Sequence, residues 1–536
     1  MAYLPGFHPA LSRVAATRDH RMQENMEPLD PEAKQALLRQ FHPDHRADAS
    51  RPIPFGPNAG EPCARELVDL LAASSRVDPA RVRLDPPDDD VDVLVIGGGG
   101  AGAAAALVAA AQGARVLPAT KLRLGDSNTI MATGMAAATG PDDSPAAHFL
   151  DTIGGGHFSN VPELVEAMVL DGPSIIAWFE DLGVMFDRSA DGNFVLGTAG
   201  GYSRRRTHSC RDNTGLEMMR VLRDELLTRH IPVLEFHPAV ELLLDETGRC
   251  AGALLQHLDT GHLRVVRARA TVLAAGGMGR LHCHGFPTSN HYGATGDGVV
   301  IGYRAGALLL FMDSVQYHPT GVVWPEQMFG WLVTERCRAL GAHLVNVEGR
   351  RFIYERQTRD AVAAAIIGEC ERGLGVTTPS GAGGVWLDTP VIDRLSGGRD
   401  RPRLAAMSAR FRRFGIDIWQ EPILVYPTQH YQNGGLRIDV HGRTSVPGLY
   451  AAGEVAGGVH GRNRLGGNAL LDVFVFGRRA GADAARCARD VAPGRLGLQH
   501  VIDHNRRADP DAVVRSPLVL PRYAAPDPRL SETFHA

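Results

Sequence analysis

The chain has 536 residues, 44% hydrophobic and 22% charged, which excludes a single small module and predicts two or three soluble domains with a large buried core. A net charge of −4 leaves no strong field of either sign, which excludes bulk-charge binding to nucleic acid or to an anionic membrane. Basic residues are lopsided, 54 Arg against two Lys, but they are spread along the whole chain, as codon bias produces.

Residues 1–90 read as an N-terminal extension rich in Pro, His, Arg and Asp. Two short amphipathic helices are predicted in it, 31–41 and 65–76, with the Pro/Gly stretch 52–62 between them. This extension is expected to pack either on the main body or on a partner. The first 20 residues lack the apolar core of a signal peptide, and no stretch reaches the roughly 18 apolar residues that span a bilayer. No direct membrane insertion is therefore expected. The seven cysteines (63, 210, 250, 283, 337, 370, 487) are scattered, with no CxxC pair for an iron–sulfur cluster, zinc or attached haem. An odd, scattered set also argues for a reducing compartment and a cytoplasmic protein, with no metal site.

At residue 91 an apolar strand runs into Gly97-x-Gly99-x-x-Gly102, with Gly100 and Ala101 inside the motif, and then into an alanine-rich helix. Such glycines permit a tight turn, close approach of a pyrophosphate and close helix–strand packing, and the helix N-terminus offers free N–H groups to phosphates. A second strand at 114–121 completes the dinucleotide-binding context. It ends in Thr120-Lys121 rather than in an acid for ribose hydroxyls, which disfavours a plain NAD site. Farther on, 271-TVLAAGGMGR-280 and 448-GLYAAGEVAGGVHG-461 each read as a strand entering a glycine turn. Singly these are ordinary parallel-sheet strands; their late return to a nucleotide-binding body favours a long cofactor such as FAD. A helix near 471–490 closes the body, and 491–536 reads as a Pro- and Arg-rich tail.

Nine segments then carry a resemblance: 97-GGGGAG-102, 127-SNTIMATG-134, 212-DNTG-215, 295-TGDG-298, 317-YHPTG-321, 334-TERCR-338, 358-TRD-360, 428-TQHYQNGG-435 and 461-GRNRLGGNALLD-472. In this order and spacing, over roughly three-quarters of the chain, the sequence resembles the flavoprotein subunits of succinate dehydrogenase and fumarate reductase and their relative L-aspartate oxidase. The resemblance implies an α/β fold: a Rossmann-type FAD-binding domain (91–312 and 427–490) interrupted by an α+β capping domain (313–426). The large C-terminal helical domain usual in the family is not expected here.

The same resemblance implies FAD contacts from Thr120, Lys121, Ser127, Asn128, Thr129, Thr133, Gly134, Asp297 and Glu454, with the backbone of Ala469 and Leu470 holding the isoalloxazine. Respiratory members carry a histidine joined to the flavin where this chain has Asn128, so the FAD is expected to be non-covalent and of lower potential. For the substrate, a dicarboxylate, it implies His318 and Thr334, with Glu335, on one carboxylate, and His430 and Arg464 on the other. Arg359 is the implied proton donor or acceptor, oriented by Glu335 and Asp360. Aspartate oxidases carry a glutamate where this chain has Ala199, so preference for an amine-bearing substrate is expected to be weak and a bulkier succinate derivative to fit. Trp324 and Trp331 read as core residues, with contact to the substrate the other reading. With no cluster of its own, the chain is expected to exchange electrons with an iron–sulfur protein, a soluble reductant or O2. An aspartate oxidase and an electron-relay component of a larger complex are the two alternatives.

Overall fold

The computed structural model describes residues 3–508. The extension forms three helices: α1 (His8–Arg21), α2 (Pro31–Phe41) and α3 (Arg65–Ala72). Asp30 caps α2 by accepting from Ala33 N at 2.8 Å, and Pro31 sits where a missing N–H costs nothing. The first helix has no counterpart among the predicted elements, because its polar residues interrupt any clear apolar stripe.

All three helices pack on the main body. Tyr3, Phe7 and Val14 enter one core, where Tyr3 stands edge-on to Trp386 at 5.5 Å and Phe7 to Trp324 at 5.4 Å. Tyr3 OH donates to Pro422 O at 2.6 Å. Arg18 and Arg21 both reach the fully buried Asp388, at 2.8 Å and 2.7 Å. Leu38 and Phe41 of α2 and Leu67 and Leu71 of α3 join the other, larger core.

That larger core surrounds a sheet in which β1 (Asp89–Ile96) pairs in parallel with β2 (Val116–Ala119) on one side and with β5 (Leu263–Leu273) on the other. The antiparallel strands β3 (Ala239–Leu244) and β4 (Cys250–Gln256) extend it, and a short late strand, Leu449–Ala451, joins β5 in parallel. Helix α4 (Gly100–Ala111) follows β1 through a turn that only glycine can make. Gly97 has φ +127°, and a Cβ there would lie 2.1 Å from Ala274 O; a Cβ on Gly102 would lie 1.9 Å from Gly97 O.

A second, antiparallel sheet runs β6 (Val315–Val322), β9 (Ile423–Gln432), β8 (Gly383–Asp388), β7 (His343–Val345). The sequence boundary at 426/427 falls inside β9 and is corrected by it: Ile423–Val425 pair with β8, and the strand continues along β6 to Gln432. Pro427, which cannot donate to a ladder, makes one strand read as two. Likewise the boundary at 90/91 cuts β1 just after its start. Helix α5 (Arg359–Glu371) separates the cores, giving Ala363, Ala364 and Ile367 to the larger and Val362, Ala365 and Ile366 to the other. Helix α6 (Ala405–Arg412) adds Met407 and Phe411 to that second core, and the long helix α7 (Asn468–Ala488) returns Phe474 and Phe476 to the first. Of the tail, Leu498 and Val501 pack on Val77 and Leu243, while 509–536 lie outside the described residues. Among the described residues no helix is long and apolar enough to cross a membrane.

Candidate active site

A cavity of about 870 Å3 runs between the two sheets, from the Gly97–Ala101 turn to Arg359. Every cofactor and catalytic residue expected from the sequence lines it except Gly102, which is spent on packing α4 against the turn.

At one end the floor is bare backbone: a Cβ on Gly98 would meet Thr120 Oγ1 at 2.8 Å. The N-terminus of α4 opens there with no acidic residue in its first turn; Gly100 N donates to Thr129 Oγ1 at 3.2 Å, and the positive end of the helix dipole faces the cavity, as suits an anion. Lys121 Nζ pairs with Asp297 at 2.5 Å and donates to Thr295 Oγ1 at 2.6 Å. Asn128 is pinned from three sides: it donates to Asn290 Oδ1 (2.6 Å) and Glu454 Oε2 (3.2 Å) and accepts from His291 N (2.6 Å). Glu454 also accepts from Gln432 N at 3.0 Å, and burial raises its pKa. A second N-terminus, that of α7, brings Ala469 and Leu470 to the cavity wall. Two helix N-termini, a glycine floor and paired acceptors fit a long dinucleotide with a flat ring system.

At the other end Arg359, at the start of α5, donates through Nε and Nη2 to Glu335 Oε2 (2.9 and 2.6 Å) and through Nη1 to Gln316 Oε1 (3.0 Å). The second oxygen of Glu335 accepts from Gly200 N at 2.9 Å and stands 3.4 Å from Arg338. Burial works to raise the Glu335 pKa, but the two guanidiniums outweigh it and hold the carboxyl at about 2. The His318 and His430 rings lie 5.1 Å apart, and His430 Nδ1 meets Ser289 Oγ at 2.8 Å. Thr334 Oγ1 is 3.2 Å from Thr133 Oγ1. Arg464 lies over the Tyr431 ring at 4.5 Å, and its buried Nε has no hydrogen-bond partner among the described residues. Burial, and then Arg359, pull its pKa down to about 10. One carboxylate, Glu335, serves both Arg359 and Arg338, and Arg464 has no carboxylate partner among the described residues, so this end is a receptor for anions.

The family model described as FAD binding domain matches residues 92–470. The chain is 41% identical over 396 residues to a component of the fumarate reductase (CoM/CoB) of Methanothermobacter marburgensis, covering 71% of this chain and 70% of that one. The chain belongs to the fumarate reductase flavoprotein family. As a member, it is an FAD-dependent oxidoreductase of the fumarate reductase and succinate dehydrogenase type. An L-aspartate oxidase of Streptomyces coelicolor is 39% identical over 387 residues, 70% of this chain and 64% of that one. A solved structure of E. coli quinol fumarate reductase FrdA, a point variant, superposes with a TM-score of 0.71 at 32% identity, covering 78% of this chain and 73% of that one.

Set in this family fold, three sequence expectations change. Asp360 does not orient Arg359; its carboxylate accepts from His157 Nε2 at 2.5 Å and from Ala361 N at 2.8 Å. Glu335 is saturated by two arginines and an amide, so it holds Arg359 in place and has no donor to offer a carboxylate. Trp324 packs in the core as expected, but Trp331 lines the cavity mouth and is 46% exposed. Sequence reasoning misses Gln316, Ser289 and Arg338. Gln316 is within its reach, since it is two residues before His318 on one strand and shares its face.

Burial, reinforced by Arg359, keeps His318 and His430 well below the usual histidine pKa. Without ligand, the folded chain thus binds fewer protons than the unfolded one below about pH 6.5, and stability falls as pH drops through that value. A dianion placed beside these rings favours their protonation. Dicarboxylate affinity should therefore rise as pH falls from about 8 to about 6, with proton uptake visible by calorimetry in buffers of different ionisation enthalpy. A flat affinity with no proton uptake would remove both histidines from the carboxylate site.

Proposed function

We propose that this chain interconverts a fumarate-like enoate and the corresponding succinate-like dicarboxylate, with Arg359 moving the proton. The observation that carries this reading is the fixed Arg359 guanidinium, held by Glu335 and Gln316 among His318, Thr334, His430 and Arg464. Bound FAD supplies or accepts a hydride at its N5. His318 and Thr334 receive one carboxylate; His430 and Arg464 receive the other, and their cationic side stabilises charge that builds up on it during reaction. Segment 313–426, with β9 shared between the bodies, caps the substrate and excludes water. Asp297, Glu454, Lys121 and the Ser127–Gly134 segment hold the cofactor.

The test is anaerobic. The purified holoprotein is reduced with dithionite, fumarate is added, and flavin absorbance is followed near 450 nm. Fast reoxidation supports the reading; peroxide formation from L-aspartate and O2, with no response to fumarate, replaces it with an aspartate oxidase. Electrons reach the flavin from a separate protein or a soluble reductant, or leave it to O2. The seven cysteines are all unpaired, which suits a cytoplasmic, reducing setting.

Asn128 cannot form the histidyl bond of respiratory relatives, and its three hydrogen bonds leave it a positioning role. Acid precipitation should therefore release all FAD into the supernatant, and a denaturing gel of the chain should show no flavin fluorescence. A fluorescent band would show that another side chain has taken over the linkage.

A further inference from the structure

The cavity continues past the side chains that receive the two carboxylates. Beyond Thr334 it opens into a lobe bounded by the 323–332 loop, by α6 and by the 198–216 segment. Phe329 and Trp331 are each 46% exposed there, and both line the cavity at its mouth. Their loop is not loose. Val322 N donates to Trp331 O at 2.8 Å, Gly330 N to Val322 O at 2.9 Å, and Thr428 Oγ1 to Gly330 O at 3.1 Å. Trp331 is thus a fixed ledge, steadied further by Arg410, whose guanidinium lies 4.8 Å from its ring centre.

The lobe is also cationic. Neither Arg336 nor Arg410 forms an ion pair with any described residue. Arg336 is satisfied by the carbonyls of Thr133, Arg211 and Arg403, whereas Arg410 has the indole and, without hydrogen-bond contact, the nearby charge of Asp212. The acid of the lobe, Asp212, is turned to the start of α6, where its Oδ2 accepts from Ala406 N and Met407 N at 2.9 and 3.2 Å, so one carboxylate stands against two guanidiniums. Where the lobe meets the reaction site stands Ala199, buried and presenting only a methyl to the cavity wall. An unsubstituted four-carbon dicarboxylate is consumed by His318, Thr334, His430 and Arg464, and leaves the ledge and Arg410 without work.

We infer that the substrate is a fumarate or succinate substituted at C2, with a flat apolar substituent that ends in an anion. The ring of that substituent rests on Trp331 and Phe329, and its anion meets Arg410. The inference rests on the proposed function. Each turnover adds one hydride from reduced FAD and one proton from Arg359 across the C=C bond, so one equivalent of substituted enoate reoxidises one flavin.

The test uses the dithionite-reduced holoprotein and three probes: fumarate, 2-benzylfumarate and 2-(4-carboxybenzyl)fumarate. Second-order reoxidation constants should rise in that order, by about tenfold at each step. Trp331→Ala should lower the benzyl-to-fumarate ratio about tenfold, and Arg410→Gln should lower the carboxybenzyl-to-benzyl ratio by a similar factor. If fumarate reacts fastest, or if both ratios survive both substitutions, the inference falls and the proposed function stands. If no probe reoxidises the flavin, both fall together.

Discussion

Arg359→Gln lowers the rate at which fumarate reoxidises the reduced flavin by about 10²–10⁴-fold, the usual weight of one general acid. FAD content and reoxidation by O2 should be retained, because neither uses this side chain. The size of the effect follows from geometry. The guanidinium is fixed by three hydrogen bonds to Glu335 and Gln316, so it presents one orientation to the substrate. Arg359→Lys should be nearly as damaging, since an ammonium on a flexible stem cannot reproduce a planar fork held at three nitrogens. Glu335→Gln leaves the arginine in place but removes the carboxylate that aligns it and balances Arg338. A smaller loss in kcat, with little change in KM, is expected there. If Arg359→Gln changes KM alone, the residue binds substrate and the proton comes from elsewhere.

Asp388→Ala should cost about 3–5 kcal/mol of stability, the range for leaving a buried charge uncompensated. Asp388 is fully buried and receives Arg18 through Nε and Nη2 and Arg21 through Nη2. Both arginines are themselves buried, so removing the carboxylate strands two cations at once. The loss should show as an earlier thermal transition and as cleavage near α1 by a dilute protease. Replacing Arg18 and Arg21 by Met together with Asp388→Leu should restore most of the stability, because an apolar trio leaves no charge unpaired. A cost under about 1 kcal/mol for Asp388→Ala would mean that α1 is held by Tyr3, Phe7 and Val14 alone.

The nucleotide end is legible in the sequence because its chemistry is local. The Gly97 turn, β1, α4 and the uncapped start of α7 are each specified within about a dozen residues, and their function needs backbone rather than partners. The six polar residues of the substrate end are legible only as a set, through the family resemblance, since any single His or Arg has an ordinary structural role open to it. Their partners are not legible. Asp360 follows Arg359 in sequence, yet the helical turn at the start of α5 sends its carboxylate to His157, a contact between residues 203 positions apart. Glu335 likewise reads as a ligand until Arg338 and Gly200 N are seen to occupy it. Helix α1 escapes for a related reason: its buried arginines look like a solvated face until Asp388 is brought to them.

The docking of α1 bears on how the chain is made. Tyr3 closes its hydrogen bond with Pro422, 419 residues later. At roughly 5–20 residues per second of synthesis, that partner leaves the ribosome about 20–80 s after Tyr3 does. Helix α1 emerges well before the segments it docks on, and through that interval Phe7 and Val14 have no core to enter. Its polar, Arg-rich character, which masks any helical stripe in the sequence, is also what keeps a waiting helix soluble.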